Sequence, residues 1–145
     1  MAKNPRHLLI VDAPYYTEIS ASLREGVDNV LRDVGASFDY IAVPGVLEIP
    51  AAIAMAVASD KTYDGYIVIG CVIRGETSHY DIVAGESARA LMDLTVKHGL
   101  ALGNGIQTVE NEAQAWARAK SSEKDKGGGA AKAALEMIAL KQKFV

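Results

Sequence analysis

Apolar positions along this chain follow two rhythms, and the rhythms alternate. Short unbroken runs suit strands buried on both faces. Between them, apolar residues recur every three or four positions, the stripe of a helix packed on one side. The first run is HLLIVD (His7 to Asp12), ended by Ala13-Pro14. A helix is predicted from about Thr17 to Val34, with Ile19, Leu23, Val27, Leu31 and Val34 on one stripe and Gly35 as its stop. The second strand is SFDYIAV (Ser37 to Val43), turned by Pro44-Gly45 into a helix from about Leu47 to Ser59. Pro50 falls in that helix's first turn, where proline is tolerated. The third strand runs from about Asp64 to Val72. The third helix runs from Ser78 to about His98, with Ser78 and Asp81 as a capping box and Gly99 as the stop. The fourth strand, ALGNGIQTV, carries Gly103 and Gly105, which predict a bend or a close backbone approach. Asn111 to Ala119 reads as a short helix. A charged, glycine-rich loop from Lys120 to Gly129 leads to the last helix, Ala130 to about Lys143.

Five helical stripes alternating with four strands imply βαβ units. The expected fold is α/β, a single domain over residues 1–145, with a parallel sheet and helices on both faces. Ligands in such sheets bind beyond the carboxyl ends of the strands. Those ends carry Asp12 to Tyr15, Val43 to Gly45, Cys71 to His79, and Gln107-Thr108.

The seam Gly75-Glu76-Thr77-Ser78-His79 joins a strand end to a helix start. Helix starts present unpaired N–H groups and a partial positive charge, and a glycine ahead of them admits an anion closely. The seam is therefore a phosphate cradle or a plain N-cap. His79 is the candidate for acid–base work, because imidazole titrates near neutrality. A helix-start position favours its neutral ring. The alternative is a surface or packing histidine. His7 and His98 have plainer accounts, at a strand edge and a helix end. Cys71 is a nucleophile with His79 as base, or simply a small residue closing a buried strand. Tyr15 and Tyr16 could stack on a planar ligand or merely pack locally. Glu48 lies near a helix start, where a carboxylate is favoured, and could accept hydrogen bonds from a polyol or heterocycle. Arg118 is a phosphate ligand or a cation compensating a helix end. Gly127-Gly128-Gly129 are not a P-loop, since no lysine–hydroxyl pair follows them.

Composition narrows the classes. The chain has 145 residues, half of them hydrophobic and 23% charged, with a net charge of -3. That balance offers no basic face for nucleic acid and argues against an anionic membrane surface. A single cysteine excludes an internal disulfide and a cysteine-rich metal site, and fits a reducing cytoplasm. The segment MAKNPRHLLIVDAP has too short an apolar run for a signal peptide or a spanning helix, and no later segment is long and apolar enough to span a membrane.

Four segments carry a resemblance: VPGVLEIPAA (Val43 to Ala52), IGCVIRGETSHYDIVAGE (Ile69 to Glu86), GNGIQTVENEAQAWARA (Gly103 to Ala119) and DKGGGAAKAAL (Asp125 to Leu135). In order and spacing the chain resembles the lumazine synthase family of riboflavin biosynthesis over nearly its whole length. The resemblance implies a three-layer flavodoxin-like sandwich with a four-stranded parallel sheet. It implies a homopentamer with active sites between adjacent subunits. It also implies a reaction of two small-molecule substrates without metal or organic cofactor. 5-Amino-6-(D-ribitylamino)uracil condenses with 3,4-dihydroxy-2-butanone 4-phosphate to give 6,7-dimethyl-8-ribityllumazine, phosphate and water. A non-catalytic relative that binds a flavin or lumazine is the alternative.

By position, the resemblance assigns Tyr15 to stacking on the pyrimidine and Val46, Leu47 and Glu48 to the ribityl chain and ring. Cys71, Val72 and Ile73 match a strand end whose backbone bonds the heterocycle. Glu76 and Thr77 match the phosphate turn, His79 the proton-transfer residue, and Arg118 a phosphate ligand from the neighbouring subunit. Lys126 matches a lysine of the family's tail motif. The chain departs from the pattern at Val46 and Leu47, where a hydroxyl and a bulky group are common. It departs also at Asn104, often an aromatic contact, and at Glu76, often a small residue. Glu76 is expected to face solvent. The connection from Lys120 to Gly129 is longer by about four residues than in the family's icosahedral shell formers, a length the fold accommodates cheaply, and the arm before the first strand is short. A free pentamer is the expectation.

Overall fold

The computed structural model describes residues 6–145. Five residues of the basic N-terminal segment read above lie outside that range. Four strands form one parallel sheet: β1 (His7–Ala13), β2 (Ser37–Ala42), β3 (Gly65–Ile73) and β4 (Leu102–Val109). Five helices connect and follow them: α1 (Thr17–Asp33), α2 (Ile49–Ala58), α3 (His79–His98), α4 (Glu112–Ala119) and α5 (Lys126–Gln142). The spatial order is β2-β1-β3-β4. Connections from β1 lead outward to β2 on one side, and β3 starts the other side. The switch between β1 and β3 opens a crevice at their carboxyl ends, which is where doubly wound sheets bind ligands.

The sheet buries both faces. Leu8, Ile10, Ile67, Ile69 and Cys71 pack against α1, α4 and α5. Leu9, Val11, Ala13, Val68 and Tyr66 join Ile49, Ile53, Val83 and Leu91 of α2 and α3. β1 and β3 are therefore apolar at nearly every position, as their unbroken runs require. The result is the three-layer α/β sandwich expected, with four parallel strands.

Three boundaries differ from the reading of the sequence. First, the helix expected from Leu47 begins at Ile49, preceded by a 3-10 turn at Val46–Glu48. Pro50 has no N–H to give Val46, so the chain closes instead with tighter bonds from Glu48 to Gly45 and from Ile49 to Val46. Second, Ser78 holds the cap position of α3, but no capping box forms. Its φ of -75° and ψ of 3° are far from the extended backbone of a capping residue, and its hydroxyl makes no capping bond. Thr77 Oγ1 accepts from His79 N at 3.2 Å instead, and Asp81 is drawn to Arg74.

Third, α5 starts four residues earlier than expected, so Gly127, Gly128 and Gly129 are helical. The connection after α4 shrinks to residues 120–125. Asp125 caps the helix, accepting from Gly128 N at 3.2 Å. The glycines serve proximity rather than flexibility. A Cβ at Gly127 would run into the Leu23 carbonyl of α1, and one at Gly103 of β4 would run into the Ala130 carbonyl of α5. The glycines of β4 thus mark a close approach. Hydrogen bonds from Glu123 and Asp125 to the Lys120 carbonyl, and from Lys124 to Ala117, fold the connection into a compact turn.

Candidate active site

A cleft of about 500 Å³ lies at the switch point, within the range of small-molecule sites. Three strand ends build it. After β1, Tyr15 and Tyr16 stand edge to face, 5.0 Å apart at 85°. Tyr15 is 73% exposed at the mouth, leaving a ring face available. After β2, the turn from Pro44 to Glu48 forms a second wall. Val46 seats that turn on the sheet: its Cγ2 comes to 3.0 Å of where Gly70 of β3 would carry a Cβ. From β3 come Cys71, Val72 and Ile73, then Gly75, Thr77 and His79, with Tyr80 and Val83 of α3 closing the floor.

The site's chemistry follows from burial and free donors. Burial pushes the Cys71 thiol up to about 11, so it stays protonated at neutral pH. Among the described residues no hydrogen bond joins it to His79. The nucleophile reading of Cys71 is therefore set aside; its side chain packs in the core on the α1 face. Burial also raises the Tyr16 hydroxyl. The turn before α3 is polar and open. Its N–H groups from Gly75 to Ser78 donate to no acceptor among the described residues. They face the start of a 20-residue helix, so hydrogen bonding and helix dipole both favour an anion there.

Nine of the residues singled out in the sequence meet in this cleft: Tyr15, Val46, Leu47, Glu48, Cys71, Val72, Ile73, Thr77 and His79. Four do not line it. Glu76 is exposed on the turn. Asn104 is exposed on β4, its Oδ1 accepting from Ile106 N at 2.9 Å. Arg118 is half-buried in the last turn of α4, donating to the Gln114 carbonyl at 3.1 Å. Lys126 opens α5 and is exposed. Among the described residues no cluster of three or more His, Cys, Asp or Glu is placed to hold a metal ion, and no helix is long and apolar enough to cross a membrane.

Sequence reasoning passed over Tyr80 and Arg74, a pair whose guanidinium and ring lie 4.2 Å apart. It also passed over Asp12, 2% exposed at the end of β1. Both Asp12 oxygens accept from Ser20 Oγ, at 2.7 and 2.8 Å, and Tyr40 donates to it at 2.6 Å. Burial raises its pKa above the ordinary carboxylate value, outweighing those bonds and the nearby Arg24. A lone acid in an otherwise apolar strand was the available signal.

The sequence profile described as 6,7-dimethyl-8-ribityllumazine synthase matches residues 5–142. The chain belongs to that family. Among its relatives is the 6,7-dimethyl-8-ribityllumazine synthase of Bartonella bacilliformis, 65% identical over 97% of this chain and 93% of the relative. The enzyme of the same name from Agrobacterium fabrum is 59% identical over 95% of this chain and 96% of its own. 6,7-Dimethyl-8-ribityllumazine synthase 1 of Rhizobium meliloti is 58% identical over 99% and 97%. Membership of the lumazine synthase family thus extends over the sheet, the cleft and the two helices that follow β4.

Proposed function

We infer that this chain is the transferase of riboflavin biosynthesis that joins 5-amino-6-(D-ribitylamino)uracil to 3,4-dihydroxy-2-butanone 4-phosphate. The observation that carries the reading is a switch-point cleft combining an open aromatic face, a histidine and a turn of free N–H groups, in a chain 65% identical to such a synthase. Tyr15 stacks on the pyrimidine. Val46, Leu47 and Glu48 flank the ribityl chain, and the backbone of Cys71 to Ile73 meets the heterocycle. The Gly75–Ser78 turn takes the phosphate.

The pyrimidine's amine attacks the ketone and water leaves as the imine forms. Loss of a proton from the neighbouring carbon then expels phosphate. His79, beside the turn, takes that proton. That elimination leaves an enol, which takes a proton on its terminal carbon and becomes a methyl ketone. The second amine closes the ring on this new carbonyl, and a second water leaves. Holding two reactants in register supplies as much as ~7–11 kcal/mol. One general base supplies typically ~10²–10⁴-fold. Positioning carries the larger share.

The assembly we propose is a homopentamer with sites between neighbours, in the cytoplasm. Support comes from α3, where Ile82, Met92 and Val96 lie exposed along one side, and from Met55 on α2, 70% exposed. That apolar surface suits a second copy of the chain. Arg118 lies away from its own chain's cleft, which fits a ligand supplied to the neighbour. The test is to mix the protein with both substrates and follow lumazine fluorescence. Product formation supports the reading; binding of lumazine without formation would replace it with a carrier.

A further inference from the structure

We propose that Arg74 is a positioning residue: it braces the Gly75–Ser78 turn from outside the cleft and so sets the aperture that receives the phosphate. The proposal rests on the reading above, in which that turn holds the phosphorylated substrate.

Arg74 follows the last residue of β3, and its N–H donates to the Val109 carbonyl at 2.9 Å. Its guanidinium then ties two segments to the end of β3. Nε donates to both Glu110 oxygens, at 3.1 and 3.0 Å. The Nη2 group lies 3.4 Å from Asp81 Oδ1 in the first turn of α3. The guanidinium carbon sits 4.2 Å from the centre of the Tyr80 ring. Glu110 begins the connection from β4 to α4, so one side chain links the end of the edge strand to the start of α3.

The turn between has little to hold it. Its N–H groups are free, Ser78 does not cap with its side chain, and Gly75 is the most permissive residue available. Its shape therefore depends on its flanks, and Arg74 ties those flanks together. The ring beneath the guanidinium lines the cleft, whereas Arg74 itself does not. Each ion pair is part-exposed and contributes little to global stability. The arrangement instead fixes direction. A planar fork satisfies a carboxylate, a second carboxylate and a ring face at once, which a lysine cannot reproduce.

Two measurements on the assembled protein test this. Hydrogen exchange of Arg74→Ala should accelerate at Asp81 and Ile82, whose N–H groups both donate to the Ser78 carbonyl where the turn enters α3, while the strands keep wild-type protection. Unchanged exchange at those two positions overturns the brace, whatever the protein's substrate. Steady-state kinetics of the same variant should show KM for the butanone phosphate rising roughly ten- to a hundredfold, the scale of a small misplacement at a reacting centre. KM for the pyrimidine should stay within about twofold. Arg74→Lys should fall between. Equal rises in both KM values overturn the proposal. Should Arg74→Ala fail to fold, Glu110→Gln and Asp81→Asn each remove one tie and must show the same split in milder form. Failure of the wild-type protein to make lumazine defeats the functional reading, while the exchange result still decides the brace.

Discussion

At the scale of single residues, the strand-end rule carried far and the partner of each side chain did not. His79 was placed at a strand–helix seam from sequence, and the cleft holds it. His79→Ala should slow condensation by roughly ten- to a thousandfold without abolishing it, because orientation of the two reactants survives. A variant with wild-type turnover removes His79 from the proton transfer. Asp12 and Arg74 escaped because their partners are distant in sequence. Tyr40 is 28 residues from Asp12, and Glu110 is 36 from Arg74. Periodicity reveals which face a residue joins, not which atom meets it. Asp12 leads to a pH prediction. Its folded pKa lies above the unfolded carboxylate value of about 3.9. Its protonated form is therefore favoured by folding. That stability is complete below the unfolded pKa and is lost as pH rises through the folded one. Asp12→Asn keeps an uncharged group there at every pH. The melting temperature of Asp12→Asn minus that of wild type should therefore fall as pH drops from neutrality towards 4. A difference that is flat or rises contradicts the burial account.

At the scale of elements, hydrophobic periodicity located every strand and helix, and turn chemistry misplaced several ends. The largest miss was α5. Three consecutive glycines read as a loop because glycine lowers helix propensity, but propensity yielded to packing. Gly127 lies against the backbone of Leu23, and Gly26 of α1 lies 2.9 Å from Gly128 N at the position a Cβ would take. The two helices cross too closely for side chains there. Neighbouring glycines should therefore respond oppositely. Gly127→Ala should lower stability by roughly 1–3 kcal/mol through overpacking. Gly129→Ala meets nothing within 4 Å, so it should be neutral or stabilising by up to about 1 kcal/mol through helix propensity. Thermal unfolding of the pair checks this, and equal losses at both sites would mean that the close approach is not what selects glycine. The same reasoning applies to the cleft. The Pro44–Glu48 wall was legible as a turn, but its seat on Gly70 depends on an atom glycine lacks, which no pattern of hydropathy records.

At the scale of the whole molecule, Arg118 does not line its own chain's cleft and donates to the Gln114 carbonyl instead. If Arg118 serves the neighbour's cleft, Arg118→Ala should weaken use of the butanone phosphate by about ten- to a hundredfold, as expected for a charge-assisted bond of ~1.5–3 kcal/mol. Co-assembly with His79→Ala should then restore activity, because some clefts would receive His79 from one variant and Arg118 from the other. No recovery in mixed assemblies means that each chain completes its own site. The size of the assembly turns on the connection between α4 and α5. Sequence reading made it a charged, glycine-rich loop from Lys120 to Gly129, whereas the glycines are helical and only residues 120–125 remain. Those residues are firmly set. Asp125 and Glu123 donate to the Lys120 carbonyl, and Lys124 donates to Ala117. Ser121 reaches Glu25 of α1 at 3.2 Å. Asp125 holds a left-handed φ of 46° that closes the turn on α5. A loose loop could fold aside as another pentamer approached, but a braced turn cannot, since packed surfaces do not deform to admit extra residues. The four residues Ser121 to Lys124 should therefore keep pentamers apart. Sedimentation at neutral pH should give a mass near five chains. A particle of twelve pentamers would show that this turn is no obstacle to shell assembly.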